Sequence, residues 1–360
     1  MKDAPILIMA GGTGGHVFPA LAVARALKEL DRQVVWLGTH KGLENRLVPE
    51  AGIPLDYIRV SGLRRKGLLS WVLAPFKVAI AVWDAVRVVR NRRPGVVLGM
   101  GGFASGPGGF AAWLLRRPLV IHEQNAAAGL TNRLLAGLAR EVLQAFPGSF
   151  SSHVTARTIG NPVRQEIFSL PDPQERMANR SGPLRLLVLG GSQGALALNQ
   201  AVPAAVALLP DAKQVEIWHQ SGAATLDAAV DAYREQQINA RVDPFINDMS
   251  EAYAWADMVV CRSGALTVSE LAAAGLGAVL VPYPSAVDDH QTLNAQFLVD
   301  AEAAVLVQQE DLTPEVLNKE LLRCISERQL VIDRAIRAHS LAQPSATDEL
   351  ASICLEQEAA

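Results

Sequence analysis

Three glycine-rich turns are the residues of this chain whose types and spacing most clearly favour chemistry. They are GGTGGH at 11–16, GMGGFASGPGG at 99–109 and GGSQGA at 190–195, and each follows a short apolar run and opens into a helical pattern. Glycine lets a backbone approach a ligand closely, and a helix N-terminus offers N–H groups and a positive dipole end to an anion. The turns indicate an enzyme that holds a phosphorylated ligand between two α/β halves. For any single turn, the simpler interpretation that glycine only links strand to helix stays open.

The two common nucleotide fingerprints fit these turns poorly. A dinucleotide site has G-x-G-x-x-G/A after the first strand, whereas the first turn, counted from Gly12, has Val17 at its last position. The stretch Gly99–Ala104 does match, but it follows a later strand, and Glu123, about 20 positions further on, is expected in a loop and not at a strand tip. GGSQGA fails as well, and no GxxxxGK[ST] is present. A nicotinamide or flavin enzyme is therefore disfavoured.

The segment Arg262–Glu270 is the best nucleotide candidate. It follows an apolar strand, Met258–Val260, and its helix is expected to begin near Ala265. The first-turn N–H groups and the Thr267 hydroxyl could bind a pyrophosphate. A carboxylate at Glu270 could accept hydrogen bonds from two ribose hydroxyls. Alternatively, Glu270 is a surface acid favoured by the helix dipole.

The elements that must position these residues alternate between strand and helix, which predicts parallel sheets with right-handed crossovers. In the first half we expect strands at 5–10, 34–37, 55–60, 96–98, 119–121 and 142–145, with helices at 15–30, 43–50 and 70–91. The pattern restarts after Asn161–Arg164, with strands at 184–189, 215–218, 258–260 and 278–281 and a helix at 195–208. The polar stretch 169–183 is predicted to be a surface loop.

The predicted architecture is therefore two doubly wound Rossmann-like domains that face each other across a cleft. The first domain takes residues 1–163 and, through a last helix that crosses back, about 343–360; the second takes 164–342. The length of 360 residues and a hydrophobic share of 50% suit two domains. Three cysteines, Cys261, Cys324 and Cys354, indicate reduced thiols in a cytoplasmic protein. The N-terminus is expected to be a first strand and not a signal peptide.

Charge is divided unevenly between the two halves. Residues 1–163 hold 20 Lys and Arg against 9 Asp and Glu, whereas residues 164–360 hold 13 against 27. Such a split indicates an anionic polymer or surface as a partner of the first half, although ordinary surface charge is the alternative. Nucleic acid is the weaker candidate, because aromatic residues make up 5% of the chain and no RRM, KH or zinc pattern is present.

Taken together, the motifs resemble those of one family. GGTGGH, GGFASGP, HEQNAAAGLTN at 122–132, GNPVR at 160–164, GGSQGA and CRSGALTVSE at 261–270 resemble the MurG family, UDP-GlcNAc transferases of glycosyltransferase family 28 with the GT-B fold. The resemblance covers essentially the whole chain. It implies inverting transfer of GlcNAc from UDP-GlcNAc to the 4-hydroxyl of the muramoyl sugar of lipid I, which gives lipid II for peptidoglycan, and hence a role in cell shape and division. Same-fold alternatives are a UDP-GlcNAc 2-epimerase and a transferase with a soluble acceptor.

The resemblance also implies which residues contact the donor. Glu270 would bind the ribose, the backbone of Ile246 the uracil, and Gln291 the sugar hydroxyls. For Ser192, simple turn chemistry is the alternative. The full implied donor set is Thr13, Gly14, Gly15, Asn125, Arg164, Ser192, Ile246, Ala265, Leu266, Thr267, Val268, Ser269, Glu270 and Gln291.

His16 is the candidate catalytic base for the acceptor hydroxyl. It stands at the first glycine turn, and imidazole can take up a proton near neutral pH. The alternatives are that His16 caps the turn or binds acceptor phosphate, and that His122 or Glu123 is the base. No D-x-D triplet is present. The helix N-terminus could stabilise the leaving diphosphate, so this interpretation requires no metal and no other cofactor.

A lipid acceptor requires contact with the membrane, and segment 68–89 with its basic flanks is the candidate surface. Pro75, Lys77, Asp84 and Arg87 interrupt it, so an interfacial helix fits better than a span. Its expected contacts are Arg64, Arg65, Lys66, Trp71, Phe76, Trp83, Arg90, Arg93 and Trp113. The predicted location is peripheral, on the anionic cytoplasmic face of the inner membrane, with other cell-wall synthesis proteins as further partners. A buried crossover helix is the alternative for this segment.

Overall fold

The protein is described by a computed structural model that covers residues 4–60, 74–178, 180–191 and 194–359. The chain forms two compact units. Unit 1 comprises Met1–Arg164 together with Ser345–Ala360, and unit 2 comprises Gln165–Pro344. Each unit is built on one parallel β-sheet.

Unit 1 contains a seven-stranded sheet in the order β3-β2-β1-β4-β5-β6-β7, and every neighbouring pair is parallel. Its strands are β1 (Ile6–Met9), β2 (Val34–Gly38), β3 (Leu55–Tyr57), β4 (Val96–Gly99), β5 (Leu119–Glu123), β6 (Glu141–Gln144) and β7 (Arg157–Thr158). Its described helices are α1 (Gly14–Glu29), α2 (Glu44–Glu50), α3 (Ala74–Arg92), α4 (Ser105–Leu114), α5 (Leu130–Ala136) and, from the end of the chain, α15 (Ala346–Ala359).

Helices cover both faces of the unit 1 sheet, as expected for a parallel sheet. Successive strand side chains point to opposite faces, so Ile6 and Ile8 enter one apolar core while Leu7 and Met9 enter the other. The first core also takes residues from α1 and α15. The second takes residues from α3 and α4.

Unit 2 contains a six-stranded parallel sheet in the order β10-β9-β8-β11-β12-β13. Its strands are β8 (Leu184–Leu189), β9 (Val215–Gln220), β10 (Arg241–Asp243), β11 (Met258–Cys261), β12 (Gly277–Leu280) and β13 (Ala304–Leu306). Its described α-helices are α6 (Gln165–Phe168), α7 (Pro173–Ala178), α8 (Leu196–Ala207), α9 (Leu226–Glu235), α10 (Met249–Trp255), α11 (Ala265–Ala274), α12 (His290–Val299), α13 (Pro314–Ser326) and α14 (Arg328–His339). Short 3₁₀ turns lie at Ala212–Gln214, Ala223–Thr225, Val287–Asp289 and Gln309–Asp311.

The order of the strands in each sheet determines where the sequence motifs lie. In each sheet the order reverses next to the first strand, between β1 and β4 in unit 1 and between β8 and β11 in unit 2. Ligands of doubly wound sheets bind beyond the carboxyl ends of strands at this reversal. The three glycine-rich turns follow β1, β4 and β8, and the CRSGALTVSE segment spans the end of β11 and the start of α11. Parallel pairing thus brings each unit's motifs to one edge of its sheet.

The stretch 169–183 was wrongly expected to be only a surface loop. It contains α7, which has Pro173 at its first position, where the missing N–H costs nothing. Asp172 accepts the Gln174 N–H at 2.9 Å through Oδ1. The Arg176 guanidinium donates to the carbonyls of Ala274 and Gly275 at the end of α11, at 2.7 and 2.9 Å. The helix is stabilised by a contact about 100 residues away, which periodicity does not reveal.

Candidate functional site

The first glycine turn of unit 1 is held by a buried carboxylate. Glu44 is fully buried at the start of α2. It accepts from the Gly12 N–H at 2.9 Å, the Thr39 N–H at 3.0 Å and the Thr39 hydroxyl at 2.8 Å. The Gly12 N–H is therefore engaged inside the protein. Sequence reasoning missed Glu44, because nothing in its local pattern marks a buried acid.

The first two glycine turns lie against each other. Gly102 has φ +82°, and a Cβ there would lie 2.2 Å from the carbonyl oxygen of Gly11. No other residue fits, since a side chain would collide with backbone. Glycine at position 102 is therefore required for the packing of the two turns, whether or not a ligand binds there.

His16 lies in the first turn of α1 and is half-buried. Its Nδ1 lies 2.9 Å from Oε1 of Gln124, which follows β5. Thr13 precedes α1 as its N-cap residue, and Gly14 and Gly15 open the helix. The structure therefore places Thr13, Gly14, Gly15 and His16 together at the carboxyl edge of the unit 1 sheet.

His122 and Glu123 are committed to internal hydrogen bonds. His122 is fully buried, and its Nε2 lies 2.9 Å from the Gly160 carbonyl oxygen. Burial lowers the pKa of His122 to about 4, because a charged imidazole would lose its hydration. Glu123 was wrongly expected in a loop, since it is the last residue of β5. It is also buried, and its carboxylate accepts four N–H bonds from within the protein.

Asn125, which follows Glu123, supplies two of those four bonds. Its backbone N–H and its Nδ2 donate to Glu123 Oε1 at 3.0 and 3.1 Å. The other two donors are the Gly129 N–H at 3.1 Å and Asn132 Nδ2 at 2.8 Å. Asn125 thus fixes the loop after β5. The Arg164 guanidinium, also in unit 1, lies 5.3 Å from the centre of the Phe18 ring.

In unit 2 the CRSGALTVSE segment forms a strand, a tight turn and a helix. Helix α11 begins at Ala265, and Asn294 Nδ2 donates to the Ser263 carbonyl at 3.2 Å, which ties the turn to α12. The first-turn N–H groups of Ala265, Leu266 and Thr267 have no acceptor within an α-helix. Val268 and Ser269 follow in the same helix, where the Ser269 hydroxyl donates to the Ala265 carbonyl at 3.0 Å. This end of α11 has the geometry of an anion site.

Glu270 is buried in α11 and is oriented by a tyrosine that the sequence did not reveal. The Tyr253 hydroxyl donates to Glu270 Oε2 at 3.0 Å, and Tyr253 is fully buried in α10. A buried carboxylate with a buried hydroxyl partner differs from the surface acid that was the alternative. No local sequence pattern marked Tyr253 as the partner of Glu270, because the two residues lie in different helices.

The remaining predicted donor contacts lie in loops of unit 2. The Ile246 N–H donates to Gln220 Oε1 at 2.9 Å, so the backbone of this turn is fixed from β9. Gln291 accepts the Tyr283 N–H at 2.9 Å through Oε1. Just before Gln291, Asp288 and Asp289 have φ of 52° and 49°, a strained backbone for non-glycine residues. Ser192 lies outside the described residues.

Unit 2 has its own buried histidine. His219, in β9, is fully buried, and its Nδ1 and Nε2 lie 2.9 Å from the Tyr233 hydroxyl and 3.1 Å from Asn199 Oδ1. Asn199 Nδ2 in turn lies 3.3 Å from the Ser221 carbonyl oxygen. Burial lowers the pKa of His219 to about 3.

One face of α3 and the adjoining α4 expose apolar side chains. Phe76 and Trp83 are 68% and 71% exposed, and Trp113 of α4 is 47% exposed. The opposite face of α3 buries Ala81, Ala85 and Val89. Helix α3 is therefore both the crossover helix and a carrier of exposed aromatic groups, on different faces. We call the exposed set the apolar face; it consists of Phe76, Ile80, Trp83, Phe110, Trp113 and Leu114.

Cationic side chains border the apolar face. Arg90 and Arg93 are exposed at the end of α3. The predicted contacts Arg64, Arg65, Lys66 and Trp71 lie outside the described residues. No helix among the described residues has the length and apolar character needed to cross a bilayer. Nor do three or more His, Cys, Asp or Glu side chains of the described ranges group in a way that could hold a metal ion.

Comparisons with known proteins show the family to which the chain belongs. The glycosyltransferase family 28 N-terminal domain matches residues 6–144, and the C-terminal domain of that family matches residues 185–350. A solved structure of Acinetobacter baumannii MurG is 42% identical with a TM-score of 0.84, over 98% of this chain and 99% of that one. The chain belongs to the MurG family of glycosyltransferases.

Relatives of the MurG family match over nearly the full length. A Marinobacter nauticus protein is 55% identical over 99% of both chains, and a Nitrosococcus oceani protein is 54% identical over 98% of both. Both are named UDP-N-acetylglucosamine–N-acetylmuramyl-(pentapeptide) pyrophosphoryl-undecaprenol N-acetylglucosamine transferase. The expected MurG resemblance, Rossmann-like fold class and transferase class are confirmed.

A more distant structure shares the fold alone. UDP-GlcNAc 2-epimerase from Neisseria meningitidis, solved with UDP-GlcNAc bound, has a TM-score of 0.66 at 12% identity. At that identity the likeness carries no information on activity. The same-fold epimerase alternative therefore gains nothing from it.

Proposed function

We propose that this protein transfers GlcNAc from UDP-GlcNAc to the muramyl sugar of the pentapeptide-bearing undecaprenyl pyrophosphate acceptor, converting lipid I to lipid II. The observation that carries the proposal is identity above 50% over almost the whole chain with enzymes named for this reaction. The motif residues stand at the carboxyl edges of the two sheets, where a doubly wound fold binds ligands.

Unit 2 is proposed to bind the donor. The N-terminus of α11 would take the diphosphate through its first-turn N–H groups and Thr267. Glu270, held by Tyr253, would accept from the ribose hydroxyls. The turn at Ile246 would contact the uracil, and the Gln291 amide nitrogen would donate to the sugar, since its Oε1 accepts from Tyr283.

Unit 1 is proposed to supply the base. As the acceptor 4-hydroxyl oxygen bonds to C1 of GlcNAc, the C1–O bond to UDP breaks and its electron pair leaves with the diphosphate, so α becomes β. The hydroxyl proton passes to His16. His122 and Glu123 are poor candidates, because the first has a pKa of about 4 and the second accepts four N–H bonds. In this proposal the positive end of α11 stabilises the leaving group without a metal.

The apolar face is proposed to contact the anionic cytoplasmic surface of the inner membrane, with Arg90 and Arg93 facing the headgroups. Exposed tryptophans and phenylalanine beside cations are typical of a peripheral membrane surface. The enzyme would thereby reach an acceptor anchored by a polyprenyl chain.

A transfer assay tests the proposed function. Purified protein with radiolabelled UDP-GlcNAc and a short-chain lipid I analogue should yield one labelled β-linked disaccharide product and UDP. Formation of UDP-N-acetylmannosamine without acceptor, or its hydrolysis by water to UDP and N-acetylmannosamine, would instead favour the epimerase alternative. Equal transfer to water-soluble muramyl peptides lacking the lipid pyrophosphate would favour the soluble-acceptor alternative.

A further inference from the structure

The inference concerns Gln124, a residue that neither the motifs nor the proposed reaction assigns. It is buried directly after β5 and stands between two histidines, His122 and His16. Hydrogen bonding along this row fixes the position of every ring proton in turn.

The row begins at the buried end. The Gly160 carbonyl can only accept, so His122 Nε2, at 2.9 Å, must carry a proton. A fully buried imidazole whose pKa is lowered to about 4 is neutral at physiological pH. His122 Nδ1 is therefore a lone pair, and it can only accept.

The lone pair of His122 orients the Gln124 amide. Gln124 Nε2 lies 3.1 Å from His122 Nδ1 and 3.2 Å from the His122 carbonyl oxygen. Both partners are acceptors, which only the amide NH₂ can satisfy. Asn161 Nδ2 also donates to the Gln124 carbonyl, at 3.1 Å, so the GNPVR segment anchors both His122 and Gln124.

The orientation of Gln124 in turn fixes His16. With the NH₂ turned toward His122, Oε1 is the amide atom that faces His16 Nδ1, at 2.9 Å. Because Oε1 can only accept, Nδ1 carries the proton, and the free lone pair of neutral His16 is on Nε2.

Gly101 makes room for this contact. A Cβ at position 101 would lie 2.6 Å from His16 Nδ1 and 3.2 Å from Gln124 Oε1, and the φ of +85° also disfavours any side chain. The second glycine turn thus leaves free the space in which the imidazole meets the amide.

We propose that Gln124, oriented by His122, is a positioning residue that holds His16 in its Nδ1–H tautomer and leaves Nε2 as the proton acceptor. The inference rests on the proposed function, in which His16 is the base. When Nε2 takes the hydroxyl proton, the N–H bond forms as the O–H bond breaks. Nδ1–H stays bonded to Gln124 Oε1 throughout, so Gln124 transfers no proton.

The test combines NMR with kinetics. In protein labelled with ¹⁵N-histidine, long-range ring correlations, assigned by their loss in His16→Ala, should show His16 protonated at Nδ1. Gln124→Leu should lose that preference and lower kcat at least about 10-fold, with UDP-GlcNAc affinity unchanged within about twofold.

Gln144→Leu is the matched control. Gln144 is buried at the end of the neighbouring strand β6, and its amide donates to the Thr158 hydroxyl at 2.9 Å, away from His16. This variant should leave the tautomer and kcat unchanged. Thermal unfolding of all variants checks that each is folded at the assay temperature.

Coupling decides between a positioning and a merely structural role. In a His16→Ala background, Gln124→Leu should lower kcat by less than about twofold, because the residue acts through His16. The inference is overturned by an Nε2–H tautomer in the unaltered protein, by normal kcat in Gln124→Leu, or by equal losses in both backgrounds. No GlcNAc transfer by the unaltered protein would instead overturn the proposed function.

Discussion

Units 1 and 2 share a doubly wound sheet, yet they use a buried histidine in opposite ways. In unit 1, His122 is the inner end of a row that passes through Gln124 to the half-buried His16. In unit 2, His219 is enclosed between the Tyr233 hydroxyl and Asn199, all of them buried. Both histidines are buried in strands of similar sheets. Their hydrogen-bond partners differ: those of His122 lead to a side chain that solvent can reach, and those of His219 do not.

The two units also differ in what they expose. The range 1–163 carries the excess of Lys and Arg, and unit 1 presents the apolar face; the range 164–360 carries 27 Asp and Glu against 13 Lys and Arg. In unit 2 the carboxylate of interest, Glu270, is buried behind a tyrosine. This contrast matches the proposed division of labour, with acceptor chemistry and membrane contact in unit 1 and donor binding in unit 2.

The largest expected effect comes from removing His16, the half-buried end of the hydrogen-bonded row in unit 1. If His16 is the base, His16→Ala should reduce kcat by about 10²–10⁴ and leave UDP-GlcNAc affinity nearly unchanged. His153→Ala, at an exposed position of unit 1, is the control and should have no effect. A near-normal kcat with a raised KM for the acceptor would make His16 a binding residue instead.

Acid should destabilise both units through their buried histidines. The pKa of histidine is about 6.5 in the unfolded chain, whereas burial lowers the pKa of His122 to about 4 and that of His219 to about 3. Stability is therefore full above pH 6.5 and is lost as pH falls toward those values. At about 1.4 kcal/mol per pH unit, the loss from His122 reaches about 3 kcal/mol by pH 4.

Denaturant unfolding between pH 7 and pH 4 measures this loss. His219→Gln should be less stable at pH 7 but should lose less further stability as pH falls, because one of the two linked protons is absent. Parallel pH dependences for the variant and the unaltered protein would show that His219 does not contribute.

Removing the buried carboxylate of unit 2 should weaken donor binding. Glu270→Ala is expected to reduce UDP-GlcNAc affinity by about 1–3 kcal/mol, the value of a hydrogen-bond partner that carries charge. Calorimetry on the folded variant provides the measurement. Unchanged affinity would exclude Glu270 from the ribose contact.

Reversing the charge of arginines beside the apolar face should weaken membrane binding without lowering turnover of a short-chain acceptor. Arg90→Glu with Arg93→Glu should weaken binding to anionic vesicles by about 1 kcal/mol for each cation removed, and more at low than at high salt. Turnover of a short-chain acceptor should be preserved. The control is Arg234→Glu with Arg323→Glu, two exposed positions of unit 2; equal vesicle binding by both double variants would rule out this surface.

The smallest expected effect comes from removing the Tyr253 hydroxyl that donates to Glu270. Tyr253→Phe removes only the hydroxyl that bonds Oε2, so UDP-GlcNAc affinity should fall by about 0.5–1.5 kcal/mol, less than in Glu270→Ala. Calorimetry on the double variant should show no further loss beyond Glu270→Ala. Additive losses would mean that Tyr253 acts on the donor by another route.

Much of the fold could be predicted from sequence, because strand–helix alternation and glycine turns are local signals. The turn at Gly11 and the helix starting at Ala265 both stand close to where the pattern placed them. The supports of the site could not be predicted. Gln124 contacts His16 from 108 positions away, and Tyr253 reaches Glu270 from a separate helix. Such pairs depend on which strands become neighbours, and sequence periodicity does not specify that order.

The return of α15 to unit 1 sets an order of events during synthesis. Leu350, Ile353 and Cys354 complete the same core as Ile6 and Ile8. The ribosome releases these last residues only after all of unit 2 has been made, so unit 2 can fold while unit 1 still lacks a wall of its core. The unit that carries the exposed apolar face is thus the last to be finished, and a nascent chain stalled before its final helix would leave that core open.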